Sequence, residues 1–167
     1  MTEIVNRVKE SGLISIDLAD FKPHHEIVDI DIADLLWKGL VLKEKDFREW
    51  AKNHNWESYS NKGVFIHCSA DAIVPTWAYM LIASRVQSFT DDFIVGTKVD
   101  LEKEMIRKNI HSENIQPFID GRVIIKGCSD IPAPEFAMSE LVRFLQPFVK
   151  SIMYGEPCST VPVYKKK

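Results

Sequence analysis

The sequence predicts an α/β fold in which about four parallel strands form one sheet, covered by helices in two or three layers, with an N-terminal strand pair added. Short apolar runs alternate with helical patterns from residue 62 to residue 155. That order requires parallel strands joined by right-handed crossovers. The first 35 residues contain two stretches of apolar/polar alternation, which is the period of a half-buried strand. A strand–helix–strand unit also occurs twice, as an internal βαβ repeat.

The N-terminal elements are two strands and a helix. Residues 13–18 and 27–32 alternate apolar and polar side chains, as half-buried strands do. Residues 46–53 place Phe47 and Ala51 on one face of a helix, because the two side chains stand four positions apart. We expect the two strands to form a pair that joins one edge of the sheet or packs as a lobe.

The elements of the core follow from residue 62 onward. A helix begins at Pro75, where a missing N–H group costs nothing, and another ends early at Pro147. In order, we expect strand 64–68, helix 75–87, strand 93–96, helix 100–111, strand 122–126, helix 134–149 and strand 151–155.

The change of pattern near residue 62 divides the chain into two segments. Residues 1–61 hold the strand pair and its helix, and residues 62–167 hold the α/β core with two related βαβ units. A chain of 167 residues is the size of one domain. We therefore expect one compact domain, with the first segment packed on the second.

Composition excludes several classes of protein. The chain is 46% apolar and 27% charged, which argues against disorder. The net charge of -3 argues against a nucleic-acid binder, and no glycine-rich phosphate loop or dinucleotide fingerprint indicates a nucleotide cofactor. Three cysteines are too few, and odd in number, for a disulfide scaffold. Without a signal peptide or a membrane span, the sequence predicts a cytoplasmic protein with reduced thiols and no membrane partner.

The internal repeat includes two of the cysteines. From Asp71 and Asp130 onward, the two copies keep a constant spacing of 59 residues. One residue deleted from the second copy also aligns Cys68 with Cys128. Apolar strands and proline-started helices are common, but strand periodicity does not require a shared cysteine. The two copies span residues 64–78 and 124–137.

All three cysteines follow predicted strands. Cys68 and Cys128 stand at strand carboxyl ends, and Cys158 lies just beyond the last strand. Ligands of open α/β sheets bind outside the carboxyl ends of the strands, so we expect the three thiols on one rim of the sheet. A serine follows each cysteine and offers hydrogen-bond donors to the sulfur: Ser69, Ser129 and Ser159.

Three thiolates on one rim predict a site for zinc or an iron–sulfur cluster, since soft ligands select these species. The metal ligands are then Cys68, Cys128 and Cys158. The fourth coordination position of the metal is then occupied by His67, by an acidic side chain near the rim or by a substrate. The side chains expected to contact the bound metal or cluster from beside its ligands are the three serines together with Asp71, Asp130 and Glu156.

Two other interpretations of the cysteines stay open. Cys68 is the nucleophile of a thiol-dependent enzyme, or a redox partner of Cys128, if its thiolate is stabilised. Alternatively, the cysteines are structural and the protein is a binding module, because free cysteine is among the most buried residue types.

Asp29 and Asp31 are a separate pair of candidate metal-binding carboxylates. Strand alternation places both carboxylates on one face, with Val28, Ile30 and Ile32 on the other. The apolar face is expected to meet the core. The carboxylates then lie on a solvated face, or bind a metal ion there.

Long stretches of the chain resemble a bacterial family of domains of unknown function, number 2480. The resemblance extends over nearly the whole chain and brings no established activity or ligand. It associates such proteins with iron–sulfur assembly genes, and it therefore implies iron–sulfur assembly proteins as partners of an accessory protein. It rests on residues 46–48, 68–80, 126–130 and 151–162.

Overall fold

The α/β class is confirmed by the computed structural model, which describes residues 12–127, 130–156 and 158–167. The described strands are β1 (Leu13–Asp17), β2 (Ile27–Asp31), β3 (Gly63–His67), β4 (Phe93–Val95), β5 (Arg122–Lys126), β6 (Ser151–Glu156) and β7 (Ser159–Lys165). The described α-helices are α1 (Glu44–Asn53), α2 (Thr76–Val86), α3 (Lys98–His111) and α4 (Pro134–Leu145). Short 3₁₀ helices span Leu18–Phe21, Ile32–Leu35, Trp56–Tyr59 and Gln116–Phe118.

The strands form two sheets rather than the single sheet that was predicted. One sheet has the order β1-β5-β6-β7, and the other has the order β2-β3-β4. β1 pairs in parallel with β5, and β2 pairs in parallel with β3. The predicted pairing of β1 with β2 is therefore wrong. Alternation identifies a strand and its buried face, but the partner of a parallel strand is set by a crossover that lies far along the chain.

Contacts group the chain into two compact units. Residues 24–102 form one unit, which we call the inserted unit because the other unit is made from the chain on either side of it. We call the latter, residues 1–23 and 103–167, the split unit. The sequence predicted a boundary between two segments at residues 61 and 62. The two compact units instead divide after residue 23 and after residue 102.

The inserted unit buries one face of its all-parallel sheet against helices. Ile30, Val64 and Ile66 are almost fully buried, as their places on one strand face require. Helices α1 and α2 supply the opposing side of the same cluster, with Phe47 and Ile82 among its members. The other face of β2 and β3 presents polar side chains, and it leads to the site described below.

The split unit has a separate core of its own. Ile16, Val123 and Ile152, from three parallel strands, pack with side chains of α3 and α4 such as Ile110 and Leu141. Strand β7 then extends this sheet by antiparallel pairing with β6. The sequence reading missed β7, because Pro162 within its apolar run argues against a strand and is tolerated only at a sheet edge.

The two units repeat one order of elements, which is more than the predicted repeat. Each has a first strand, a 3₁₀ helix, an α-helix, a second 3₁₀ helix, a central strand, an α-helix and a third strand. Just before the central strand, Asn61 and Asp120 both adopt positive φ, at 58° and 55°. These residues are 59 positions apart, so the spacing predicted from Asp71 onward also holds on the amino-terminal side of the central strands.

Strand register corrects the predicted alignment of the cysteines. Asp31 pairs with His67 in one sheet, and Asp17 pairs with Lys126 in the other. His67 and Lys126 are therefore equivalent, 59 positions apart, and no deletion is needed. With this spacing Cys68 corresponds to Gly127 rather than to Cys128, which lies outside the described residues.

The first strands of the two units share an aspartate cap that the predicted repeat did not include. Asp17 Oδ1 accepts a hydrogen bond from the backbone N–H of Ala19, with an N–O distance of 3.0 Å. Asp31 Oδ1 accepts the equivalent bond from Ala33 at 2.9 Å. Each carboxylate thereby begins a 3₁₀ helix directly after its strand.

Membrane spans were also sought in the described ranges. None of the helices there has the length and apolar character that a bilayer crossing requires.

Candidate functional site

Polar and reactive side chains meet at the carboxyl ends of β2 and β3 in the inserted unit. Asp31 is the last residue of β2 and is directly opposite His67, the last residue of β3. Cys68 follows at once, and its loop leads to helix α2. Ligand sites of α/β proteins occupy this end of a sheet.

Asp31 orders the loop that carries Cys68. Besides capping the 3₁₀ helix, its Oδ1 accepts a hydrogen bond from the backbone N–H of Ser69 at 3.0 Å. Partial burial opposes ionisation of Asp31, but hydrogen bonds from Ser69 and Ala33, with the nearby charge of His67, outweigh it and lower the carboxyl pKa. Asp31 is consequently an anion at neutral pH.

Cys68 is half-buried and packs against the core of the inserted unit. Its thiol is oriented toward the carbonyl oxygen of Ala70, with an S–O distance of 3.5 Å. Burial raises the pKa of Tyr79, and the negative charges of Cys68 and Asp31 raise it further. Tyr79 therefore keeps its proton at neutral pH and can donate a hydrogen bond near the thiol.

His67 and Asp29 form a second polar contact on the solvated face. His67 Nε2 lies 3.0 Å from Asp29 Oδ2, and the imidazole stacks on Phe65 with ring centres 5.1 Å apart. The carboxylate and the aromatic ring together fix the orientation of the imidazole. The predicted solvated side of β2 agrees with the 52% exposure of the Asp29 side chain.

Tyr59 continues the polar contacts away from the sheet. Burial raises the pKa of Tyr59, and the charge of Asp29 adds to the effect. Tyr59 Oη lies 2.9 Å from His54 Nε2. Burial lowers the pKa of His54, so a neutral imidazole shares a hydrogen bond with the tyrosine hydroxyl.

The remaining predicted site residues are distributed over both units. Asp71 is exposed in the loop between β3 and α2 of the inserted unit. Cys128 and Ser129 lie outside the described residues. In the split unit, four predicted residues are exposed: Asp130, Glu156, Cys158 and Ser159.

The three cysteines were predicted to lie on one rim of one sheet, but two of them follow strands of different sheets. Cys68 follows a strand of the three-stranded sheet, whereas Cys158 follows β6 of the four-stranded sheet. Cys158 is exposed in the turn that joins β6 to β7. Within residues 12–127, 130–156 and 158–167, no three or more histidine, cysteine or acidic side chains are grouped as metal ligands. The predicted cysteine set includes Cys128 and is not tested by that finding.

Sequence reasoning missed Tyr79 and the structural role of Asp31. The sequence did contain a signal for the role of Asp31, because the same local pattern occurs at Asp17. Asp17 and Asp31 each follow an alternating strand and precede a hydrophobic residue and an alanine, which is a local capping pattern. Tyr79 lies in the first turn of a helix that begins after Pro75, but its approach to Cys68 depends on the packing of that helix.

Comparisons with known proteins give one match. No curated protein and no solved structure matches the chain. The family model described as "Protein of unknown function (DUF2480)" matches residues 2–166. This match extends over nearly all of the 167 residues, and the chain therefore belongs to the DUF2480 family.

Proposed function

We propose that the protein acts through the thiol of Cys68, as a nucleophile in a thiol-dependent reaction at the carboxyl ends of β2 and β3. The observation that carries this proposal is the position of Cys68 directly after β3, in a loop that Asp31 holds through the Ser69 N–H, with Tyr79 packed on the same core cluster. Asp31 keeps its negative charge and Tyr79 keeps its proton, so the carboxylate is available as a hydrogen-bond acceptor and the phenol as a donor.

Each group has a distinct role in the proposal. The thiolate form of Cys68 attacks an electrophilic substrate. Tyr79 donates a hydrogen bond to the thiolate, or to the substrate atom that gains charge. Asp31 is a positioning residue, because its bond to the Ser69 N–H fixes the loop beside the thiol. His67, held by Asp29, directly precedes Cys68 at the end of β3 and can contact a bound substrate there.

Alkylation by iodoacetamide tests the proposal in a Cys128→Ser/Cys158→Ser background, where Cys68 is the single thiol. We expect Cys68 to be alkylated in the folded protein, with a rate that rises as the thiolate forms. If Tyr79 donates a hydrogen bond to the thiolate as proposed, Tyr79→Phe removes it. At fixed pH it should slow the reaction about fivefold, which corresponds to roughly 1 kcal/mol.

The matched control is Tyr164→Phe, a half-buried tyrosine of the split unit. It should leave the rate at Cys68 unchanged. Two results contradict the thiol proposal: protection of Cys68 from alkylation until the protein unfolds, or equal rates in the Tyr79→Phe and parent proteins. Protection until unfolding would favour a binding module in which the cysteines only pack.

Metal or iron–sulfur binding by Cys68, Cys128, Cys158 and His67 is the second candidate. It is supported by the chemistry of the ligands, since three thiolates suit zinc or an iron–sulfur cluster. In that case the partners are iron–sulfur assembly proteins. Anaerobic purification, elemental analysis and an ultraviolet-visible spectrum test it.

The two candidates predict different effects of cysteine substitution. A shared metal site requires Cys68→Ser and Cys158→Ser to lower the metal content alike. A thiol reaction at Cys68 requires that Cys158→Ser leave it unaffected. Metal-free protein that gains neither zinc nor a cluster on reconstitution overturns the metal candidate.

Both candidates place the protein in a reducing compartment such as the cytoplasm, where thiols persist. The absence of nucleotide, nucleic-acid and membrane partners stays a prediction from the sequence. Non-reducing electrophoresis of protein from freshly lysed cells tests the thiol state, and a disulfide-linked form would contradict it.

A further inference from the structure

An apolar groove lies in the split unit, away from the Cys68 site. It runs between helix α4 and the β6–β7 hairpin and encloses about 320 Å³. Met138 and Val142 of the helix form one wall, and Val161 and Val163 of β7 form the other. Ile152 of β6 forms part of the lining between them and is fully buried.

The groove leaves large apolar side chains in contact with solvent. Val161 and Val163 are 62% and 53% exposed. Ser139, a polar member of the lining, directs its hydroxyl to the carbonyl oxygen of Phe136 at 2.8 Å, within its own helix. Apolar clefts of this size with few polar groups are typical of small-molecule sites.

A second, more polar cavity is lined by the residues that come next in the helix and in the strand. It encloses about 400 Å³ and is lined by Arg143, Gln146, Pro147 and Tyr164. Val142 of the first cavity precedes Arg143 in the helix, and Val163 precedes Tyr164 in the strand. Met138 and Val142 are four positions apart on one face of α4, and Gln146 follows directly after the helix ends.

Arg143 gives the second cavity a positive charge that is only loosely neutralised. Its guanidinium lies 3.4 Å from Glu140 Oε1, and its side chain is 73% exposed. Glu140 is 2% exposed and also contacts Arg107 at 3.4 Å and His111 at 3.5 Å. Glu140 is thus shared by two arginines and a histidine, and Arg107 has a second carboxylate partner in Glu104 at 2.6 Å. Arg143, the most exposed of the three, can accept a further anion from solvent.

We propose that this groove binds a medium-chain acyl carboxylate, with the hydrocarbon chain between α4 and β7 and the carboxylate at Arg143. The aliphatic walls of the groove and the neighbouring guanidinium of Arg143 fit that class of ligand. Burial of the chain removes Val161 and Val163 from water, which is favourable. The inference concerns the split unit, and its outcome does not depend on the thiol chemistry proposed for Cys68.

Isothermal titration calorimetry of the full chain with hexanoate, octanoate and decanoate tests whether the hydrocarbon chain is buried between the apolar walls of the groove. We expect one binding site per chain. Each added methylene should raise the affinity about fourfold where it is fully buried. Decanoate should therefore bind roughly tenfold or more tightly than octanoate.

Two variants test the apolar wall and the neighbouring cation. Val161→Asp adds a charge to an exposed position of the apolar wall and should abolish decanoate binding, whereas Val99→Asp, at a 48% exposed position, should not. Arg143→Gln should remove the preference for decanoate over decanol. The matched control is Arg85→Gln on the exposed side of α2.

Several outcomes overturn the proposal. Affinity that does not change with chain length excludes burial of the chain in the groove. Equal loss of binding in the Val161→Asp and Val99→Asp variants, or no loss in either, places the ligand elsewhere. If decanoate does not bind, and Val161→Asp instead dissociates a dimer in sedimentation analysis, a second copy of the chain covers the groove.

Discussion

The inserted unit and the split unit have the same order of elements but different chemistry at their carboxyl ends. The inserted unit places there Asp31, His67, Cys68 and Tyr79. At the corresponding positions the split unit has Asp17, Lys126, Gly127 and Met138. In the split unit the aspartate faces a permanent cation, with Lys126 Nζ 3.8 Å from Asp17 Oδ2. The shared scaffold therefore does not determine the chemistry; the side chains at the strand ends do.

Core positions differ far less between the units than the strand ends do. Burial requires apolar side chains at matching places in both cores, whatever the strand ends carry. Pairs that are 59 positions apart and buried in both core clusters are Phe47 and Ile106, Ala51 and Ile110, Val64 and Val123, Ile66 and Ile125, Ala78 and Ala137, Ile82 and Leu141, and Val86 and Leu145.

Truncation of equivalent core residues should give the largest effects. Phe47 is 1% exposed and Ile106 is fully buried. Phe47→Ala should lower the free energy of unfolding by about 3–5 kcal/mol, and Ile106→Ala by about 2–5 kcal/mol. Urea denaturation followed by tryptophan fluorescence and circular dichroism measures both. Val99→Ala, at an exposed position, should change it by less than about 0.5 kcal/mol. A similarly small change at Phe47 or Ile106 would contradict the equivalence of the two cores.

Removal of the two capping aspartates should distinguish the units more sharply. Asp17→Ala removes the bond to the Ala19 N–H, and we expect a loss of about 1 kcal/mol. Asp31→Ala also removes the bond to Ser69, so we expect about 1–2 kcal/mol. The loss should be accompanied by faster amide exchange at Ser69. Equal losses, with unchanged exchange at Ser69, would mean that Asp31 does not order the loop.

The charge of Asp31 should appear in the pH dependence of stability. Its native pKa is lowered, so its contribution is present above the ordinary carboxyl pKa of about 3.9 and is lost as the pH falls through the native value. Asp31→Asn should reduce stability at neutral pH and change it less in strong acid. Urea titrations from neutral to acidic pH measure the difference between variant and parent. A difference that stays constant with pH would exclude this role for the charge.

Exchange of the residues at the ends of β3 and β5 should have the smallest effect on stability. His67→Lys and Lys126→His place the side chain of each unit in the other. Both positions are near the surface, and exposed ion pairs contribute little. We expect each change to alter the free energy of unfolding by no more than about 1 kcal/mol. In the single-thiol background, His67→Lys should nevertheless change the alkylation rate of Cys68. An unchanged rate would remove His67 from the proposed thiol chemistry.

Local patterns predicted most of the secondary structure because the information lies within a few residues. The helix expected at residues 134–149 ends at Leu145, two residues before Pro147. The strand expected at residues 122–126 is observed with the same bounds. β7 was missed because Pro162 weakens the strand pattern, and its pairing with β6 compensates for that only in the folded chain.

The sequence by itself determined most of the strands and α-helices, their buried faces, the 59-residue spacing of the repeat and the position of Cys68 at a strand end, since each depends on periodicity and on residue types close together in the chain. Only the tertiary structure decided that β2 pairs with β3 and β1 with β5. A parallel strand must find its partner across a long connection, and two strands with the same alternation are equally good partners locally. That choice places Cys68 on the three-stranded sheet. The packing of α2 then places Tyr79 and Cys68 against the same core cluster.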